Sequence, residues 1–169
     1  HTDRTYSLDT LPQEYSASGD SDYRLPAAII EHADGSRAAR WIFKDYQIVD
    51  GKPELAGLPQ AFVEDKTEAQ TLIINLVDEV SHLELALSYT IYREQAIITR
   101  SSKLTNLGSQ AVTIKKLASL QIDFVAKDFE SICLPGAHAN ERHLTRAKVT
   151  AGVKSFESRR GSSSHHMNP

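Results

Sequence analysis

Cysteine is nearly absent from the 169 residues, with Cys133 standing alone. No disulfide can form within the chain, and no cysteine framework signals secretion. No run of about 18 apolar residues occurs, which excludes a transmembrane helix of ordinary length. A charged, apolar and small-residue succession of the signal-peptide kind is missing too. The 8 glycines build no phosphate-cradling loop. Excess charge is also lacking: 19 Lys and Arg face 22 Asp and Glu, a net charge of −3. That leaves no basic field for nucleic acid or an anionic membrane, whereas a neutral, hydrogen-bonding partner such as a sugar is compatible with it. No amphipathic helical stripe and no internal repeat is found. The expectation is a soluble, cytoplasmic protein.

What is present is ordinary globular material, 40% hydrophobic and 24% charged, long enough to bury a core without metal or disulfides. Period-two alternation is clearest over residues 83–92, where Leu83, Leu85, Leu87, Tyr89 and Ile91 fall on one face. Glu84, Ser88 and Thr90 fall on the other. Short runs rich in β-branched and aromatic residues cover 27–32, 41–49, 71–77, 96–105 and 112–124. Asp34-Gly35 and Asp50-Gly51 read as hairpin turns, and Asn106-Leu107-Gly108-Ser109 as a short connection. Residues 51–60, with Pro53, Gly57 and Pro59, predict an irregular loop, and 64–70 a polar connection. The pattern predicts an all-β sandwich of mostly antiparallel strands.

Few constellations carry chemistry. His138-Ala139-Asn140-Glu141-Arg142-His143 has two imidazoles at i and i+5, where a zinc-binding helix needs i and i+4. These residues read either as polar loop residues bonded to backbone or as a ligand-facing loop on a β scaffold. Neither reading includes a metal or cofactor. His165 and His166 are neighbours that point apart on an extended segment, and Ser162–Ser164 lacks a nucleophile elbow. Asp20, Asp22, Glu64, Asp65, Asp78, Glu79, Asp123 and Asp128 offer carboxylates, but a glycosidase needs two at a defined separation, which spacing across strands does not supply. Most fall at turns or strand ends, where solvation accounts for them. Trp41, inside an apolar run, reads as core.

The segment from Glu157 to Pro169, ESRRGSSSHHMNP, resembles the SxRGxSSHxxNPF stretch of family-36 α-galactosidases. Four further stretches are similar to the same family in the same order: DRTYSLDTL at 3–11, DYRLPA at 22–27, GKPELAGLP at 51–59 and LPGAHANER at 134–142. Five colinear motifs span essentially the whole chain.

The resemblance implies a single N-terminal β-supersandwich domain over 1–169, galactose-mutarotase-like and cut at both ends. Residues 159–169 would lead toward a (β/α)8 catalytic barrel. It implies a parent enzyme that removes terminal α-galactosyl residues from raffinose-type oligosaccharides and melibiose with retention. The nucleophile and acid/base would lie in the barrel, so no catalytic residue falls in this segment. The domain would help wall the galactose pocket and support a homotetramer. Two substrate-binding residues follow from position: Arg4, matching an arginine that approaches the sugar, and His138, standing where many members have a pocket-lining Trp. His keeps a hydrogen bond to a sugar hydroxyl available while removing the apolar stacking face. Asp22 and Arg24 could pair or cap a turn, and Glu141 and Arg142 would brace the loop. An autonomous carbohydrate-binding module and an aldose-epimerase-like domain are the alternatives.

Overall fold

A computed structural model of the protein describes residues 11–19, 24–57, 60–125, 128–136, 139–140 and 142–157. Of the described residues, 41% are in strands and 2% in helix, and every strand pair is antiparallel. The chain divides into two units, His1–Asp123 and Phe124–Pro169.

In the first unit the strands are β1 (Ala28–Glu31), β2 (Ile42–Asp50), β3 (Ala69–Asp78), β4 (Leu83–Tyr92), β5 (Ile98–Asn106) and β6 (Thr113–Leu117). They form a four-stranded sheet of order β2-β3-β4-β5 and a two-stranded sheet of β1 with β6. The alternating leucines explain the core between them. Leu83, Leu85 and Leu87 of β4 are fully buried and meet Ala28 and Ile30 of β1, Ala27 and Tyr15. Trp41, Ile74, Leu76, Leu104 and Leu117 pack around that cluster, so Trp41 is core as expected. Burying each leucine is worth about 2 kcal/mol. The stripe along β4 is therefore the main bond between the sheets.

The alternation expected through Ile91 breaks earlier. Ile91 is 56% exposed, while Thr90 and Tyr92 on the opposite face are buried. The cause is the loop after β2, which folds over that end of the sheet. There the Thr71 hydroxyl donates to the Gly51 carbonyl at 2.7 Å and meets the Thr90 hydroxyl at 2.7 Å. Apolar-in, polar-out thus switches face within one strand, because a different element covers each half.

The turns are real but join different partners from those expected. Asp34-Gly35 closes a turn in which the Gly35 amide donates to His32 O at 2.9 Å, yet the strands on either side belong to different sheets. Asp50-Gly51 ends β2 with Gly51 at φ 79°, but β3 starts only at Ala69. A 3-10 turn at Lys66–Glu68 lies between, closed by a capping box of Asp65 and Glu68. Residues 69 and 70 are strand rather than connection. The tight hairpin of the sheet is instead β3–β4, built on Asp78.

The second unit is a hairpin of β7 (Glu130–Cys133) and β8 (Thr145–Lys148), paired from Glu130↔Lys148 to Cys133↔Thr145. The Val149 amide donates to Phe129 O at 2.9 Å, extending the pairing. Phe124 and Phe129 meet as a tilted pair, with ring centroids 4.9 Å apart and planes at 47°. The run expected over 112–124 is strand only at Thr113–Leu117.

Candidate functional site

The motif LPGAHANER occupies the connection between β7 and β8. The His143 amide closes its base by donating to Pro135 O at 2.8 Å. The His143 ring nitrogen meets the Asn140 side-chain oxygen, so this imidazole is held inside the loop. Ala139 and Arg142 have φ of 62° and 60°, a left-handed conformation that costs a non-glycine residue on the order of 1 kcal/mol. The described ends of this connection are thus held by the β7–β8 ladder and by the His143 amide. His138 and Arg4 both lie outside the described residues, as do Asp20, Asp22, Glu141 and residues 158–169.

Three of the carboxylates, Asp65, Asp78 and Asp123, are committed to the fold. Asp78 is only 3% exposed. It accepts the amides of Val80 at 3.0 Å and Ser81 at 3.3 Å through one oxygen, and that of Arg40 at 3.1 Å through the other. Burial pushes its pKa up, but the Arg40 amide, the Ser81 hydroxyl and the Ser81 and Val80 amides outweigh it, leaving a net lowering. Solvation, expected for residues of this kind, does not account for Asp78; pinned amides do. Asp65 caps the 3-10 turn through the Thr67 amide at 2.7 Å. Asp123 pairs with Arg24 and accepts the Gln13 amide at 2.8 Å, while Arg24 also donates to Leu11 O at 2.7 Å.

Among the described residues of the first unit, two cavities of several hundred Å³ open besides a smaller one of about 160 Å³ beside Lys52 and Gln60. One, of about 550 Å³, lies among the loop after β1, the β3–β4 hairpin and the loop after β5; His32, Arg40, Asp78, His82 and Gln110 line it. The other, of about 680 Å³, has Arg100 at its wall with Glu14, Tyr89, Ile98 and Ile122. Arg100 has a side chain only 6% exposed, donating to Gln121 O at 2.9 Å and pairing with Glu14 at 2.8 Å. Its guanidinium stands 4.8 Å from the Tyr89 ring centroid and 5.9 Å from that of Tyr15. Burial and then the bond to Glu14 push the Tyr89 hydroxyl pKa up. This cluster went unnoticed in the sequence, because residues 14, 15, 89, 100 and 121 share no motif. Each of the two larger cavities is lined by two carboxylates, Asp34 and Asp78 in the first and Glu14 and Asp123 in the second; Asp78 holds backbone amides, and Glu14 and Asp123 are paired with Arg100 and Arg24.

A family model for the glycosyl hydrolase family 36 N-terminal domain matches residues 1–169. The chain belongs to this family. It is 56% identical over 168 residues to alpha-galactosidase 1 of Pediococcus pentosaceus, covering 99% of this chain and 23% of that protein. Identity to alpha-galactosidase Mel36A of Lactobacillus acidophilus is 53%, with the same shares covered, 99% and 23%. Among solved structures, a variant of the GH36 alpha-galactosidase AgaA of Geobacillus stearothermophilus in complex with stachyose superposes with a TM-score of 0.94. It is 44% identical, and the match covers 99% of this chain and 23% of AgaA. Another AgaA variant, in complex with raffinose, also matches at 0.94. The family's N-terminal fold is the fold found here, as the five motifs implied. This chain spans about a quarter of the length of those relatives, 23%.

Proposed function

We propose that this chain is the non-catalytic N-terminal domain of a retaining α-galactosidase that cleaves terminal galactosyl residues from raffinose-type oligosaccharides and melibiose. One observation carries the reading: the whole chain matches one end-domain family, while its relatives are alpha-galactosidases about four times as long. The commitment of Asp65 to a cap, Asp78 to a turn and Asp123 to an ion pair supports placing the chemistry elsewhere in the parent. Within it, the domain contributes the His138 loop and Arg4 to the wall of the galactose pocket, supports a homotetramer, and resides in the cytoplasm.

The test uses the full-length parent enzyme. His138→Ala should weaken substrate binding by about 0.5–1.5 kcal/mol, the net value of one neutral hydrogen bond, with thermal unfolding unchanged. His138→Trp should keep or strengthen binding by restoring an aromatic face. Unchanged kinetics in both variants, or activity loss that only tracks unfolding, would remove His138 from the pocket. Residues 1–169 by themselves should hydrolyse no chromogenic α-galactoside; turnover abolished by mutating one of their own carboxylates would overturn the domain's non-catalytic role. Sedimentation of the parent enzyme checks the tetramer.

A further inference from the structure

The cavity beside the β3–β4 hairpin is built from three loops that are tied to one another. The Arg40 amide donates to Asp78 at 3.1 Å, joining the segment before β2 to the hairpin. The Leu107 amide donates to His82 O at 2.9 Å, joining the same hairpin to the loop after β5. On the remaining side the Ala39 amide donates to Ser18 O at 2.9 Å. The space between these loops is about 550 Å³, within the range of about 300–1,000 Å³ that preformed small-molecule sites occupy. Backbone bonds between the loops are what hold such a space open in one shape.

Its lining divides into groups the fold has used and groups it has not. Asp78 spends both oxygens on three backbone amides. His32 Nε2 donates to Ala38 O at 3.1 Å, since a carbonyl only accepts. Arg40, His82 and Gln110 come one from each loop, and all three are exposed. Among the described residues their side chains have no hydrogen-bond or ion-pair partner. Asp34 accepts the Ser36 amide at 2.9 Å, and because a carboxylate takes about four bonds it keeps acceptor capacity. The unspent groups therefore combine one positive charge, one negative charge, an imidazole and a primary amide. Donors and acceptors are mixed and the two charges offset each other, so the set favours neither an anion nor a cation. The methyl groups of Ala33 and Val112 complete the lining and suit the C–H face of a ring.

We propose that this cavity binds a neutral saccharide of one or two rings. Each sugar hydroxyl both donates and accepts, so one ligand satisfies the Arg40 guanidinium, the Asp34 carboxylate and both ends of the Gln110 amide. Small-molecule sites set a few placed polar groups in a mostly apolar wall, and here those groups come from three loops already tied together. A phosphate- or carboxylate-bearing ligand would meet Asp34, and a cation would meet Arg40. The functional reading above gives sugar contact to Arg4 and His138 and uses none of these residues. The proposal therefore stands or falls apart from the reaction of the parent enzyme.

Amide hydrogen exchange of the full-length chain, read by mass spectrometry with sucrose and with galactose as probes, tests this. The expected result is slower exchange in peptides covering 32–40, 78–82 and 107–112 with at least one of the two sugars. Sugars also slow exchange everywhere by being excluded from protein surface, so Arg40→Ala and Gln110→Ala supply the comparison. Neither side chain bonds to the described fold, and both variants should unfold at the temperature of the parent. Arg40→Ala should raise the sugar concentration for half-maximal protection roughly tenfold, the loss of a charge-assisted bond, and Gln110→Ala should raise it several-fold. Protection that is absent from those three stretches with both sugars, or that is the same in the parent and both variants, would overturn the proposal.

Discussion

Asp78→Ala attacks the point where the β3–β4 hairpin is tied to the segment entering β2. The carboxylate holds three backbone amides, from Arg40 at 3.1 Å, Val80 at 3.0 Å and Ser81 at 3.3 Å. Hydrogen bonds to a charged group are each worth about 1.5–3 kcal/mol, and stranding a buried donor costs about 1–3 kcal/mol. Partial rehydration through the neighbouring cavity offsets some of that loss, so about 3 kcal/mol of destabilisation is expected in all. Asp78→Asn keeps one accepting oxygen but turns an NH2 toward an amide donor, and should fall between Ala and the parent. Sign matters for the pH dependence. The folded pKa lies below the ordinary aspartate value, so the stabilisation is present above that ordinary value. It is lost as pH falls through the folded pKa. Urea unfolding of the full-length chain across acidic pH would show a shallower acid limb for Asp78→Asn than for the parent. A loss below about 1 kcal/mol for Asp78→Ala, the value of an ordinary neutral bond, with an unchanged acid limb, would refute the assignment.

Thr71→Val leaves the Gly51 carbonyl and the Thr90 hydroxyl without the buried partner they now share, and should cost about 1–3 kcal/mol in denaturant unfolding. A neutral result would mean water enters beneath the 51–60 loop. Arg100→Met keeps much of the stem but leaves Gln121 O without its donor, Glu14 with the Tyr89 hydroxyl but no cation, and the Tyr15 and Tyr89 rings without their guanidinium. A loss of about 2–4 kcal/mol is expected, with Arg100→Lys recovering only part because it lacks the planar fork; full rescue by lysine would show that charge alone matters. Gly51→Ala puts a Cβ 3.3 Å from Lys66 Cα at φ +79°, and about 1–2 kcal/mol of stability should be lost to strain, while unchanged unfolding would show that the turn can relax.

The sequence alone determined that residues 83–87 form a strand, since leucine at every second position suits a pleated face and nothing else. It determined the family as well, because five motifs keep their order whatever contacts they make. It could not assign the partners of its strands. Asp34-Gly35 and Asp50-Gly51 carry the same turn chemistry as a two-residue hairpin, but whether the next strand pairs with the previous one depends on core packing far along the chain. Here β1 found β6, and β2 found β3 only after a long loop. That loop also decided which face of Thr90 and Ile91 is buried, a choice the alternation assigned the other way. The β7 and β8 strands left no signal, for four residues such as TRAK, all exposed, are ordered by their ladder rather than by burial. Asp78 looked like one more turn carboxylate. Only the fold brings the Arg40 amide, 38 residues away in sequence, onto it. The shared face of Phe43, Tyr46 and Ile48 is tertiary too, since period two puts Phe43 opposite the other two and only the bulge between Phe43 and Asp45 brings them together.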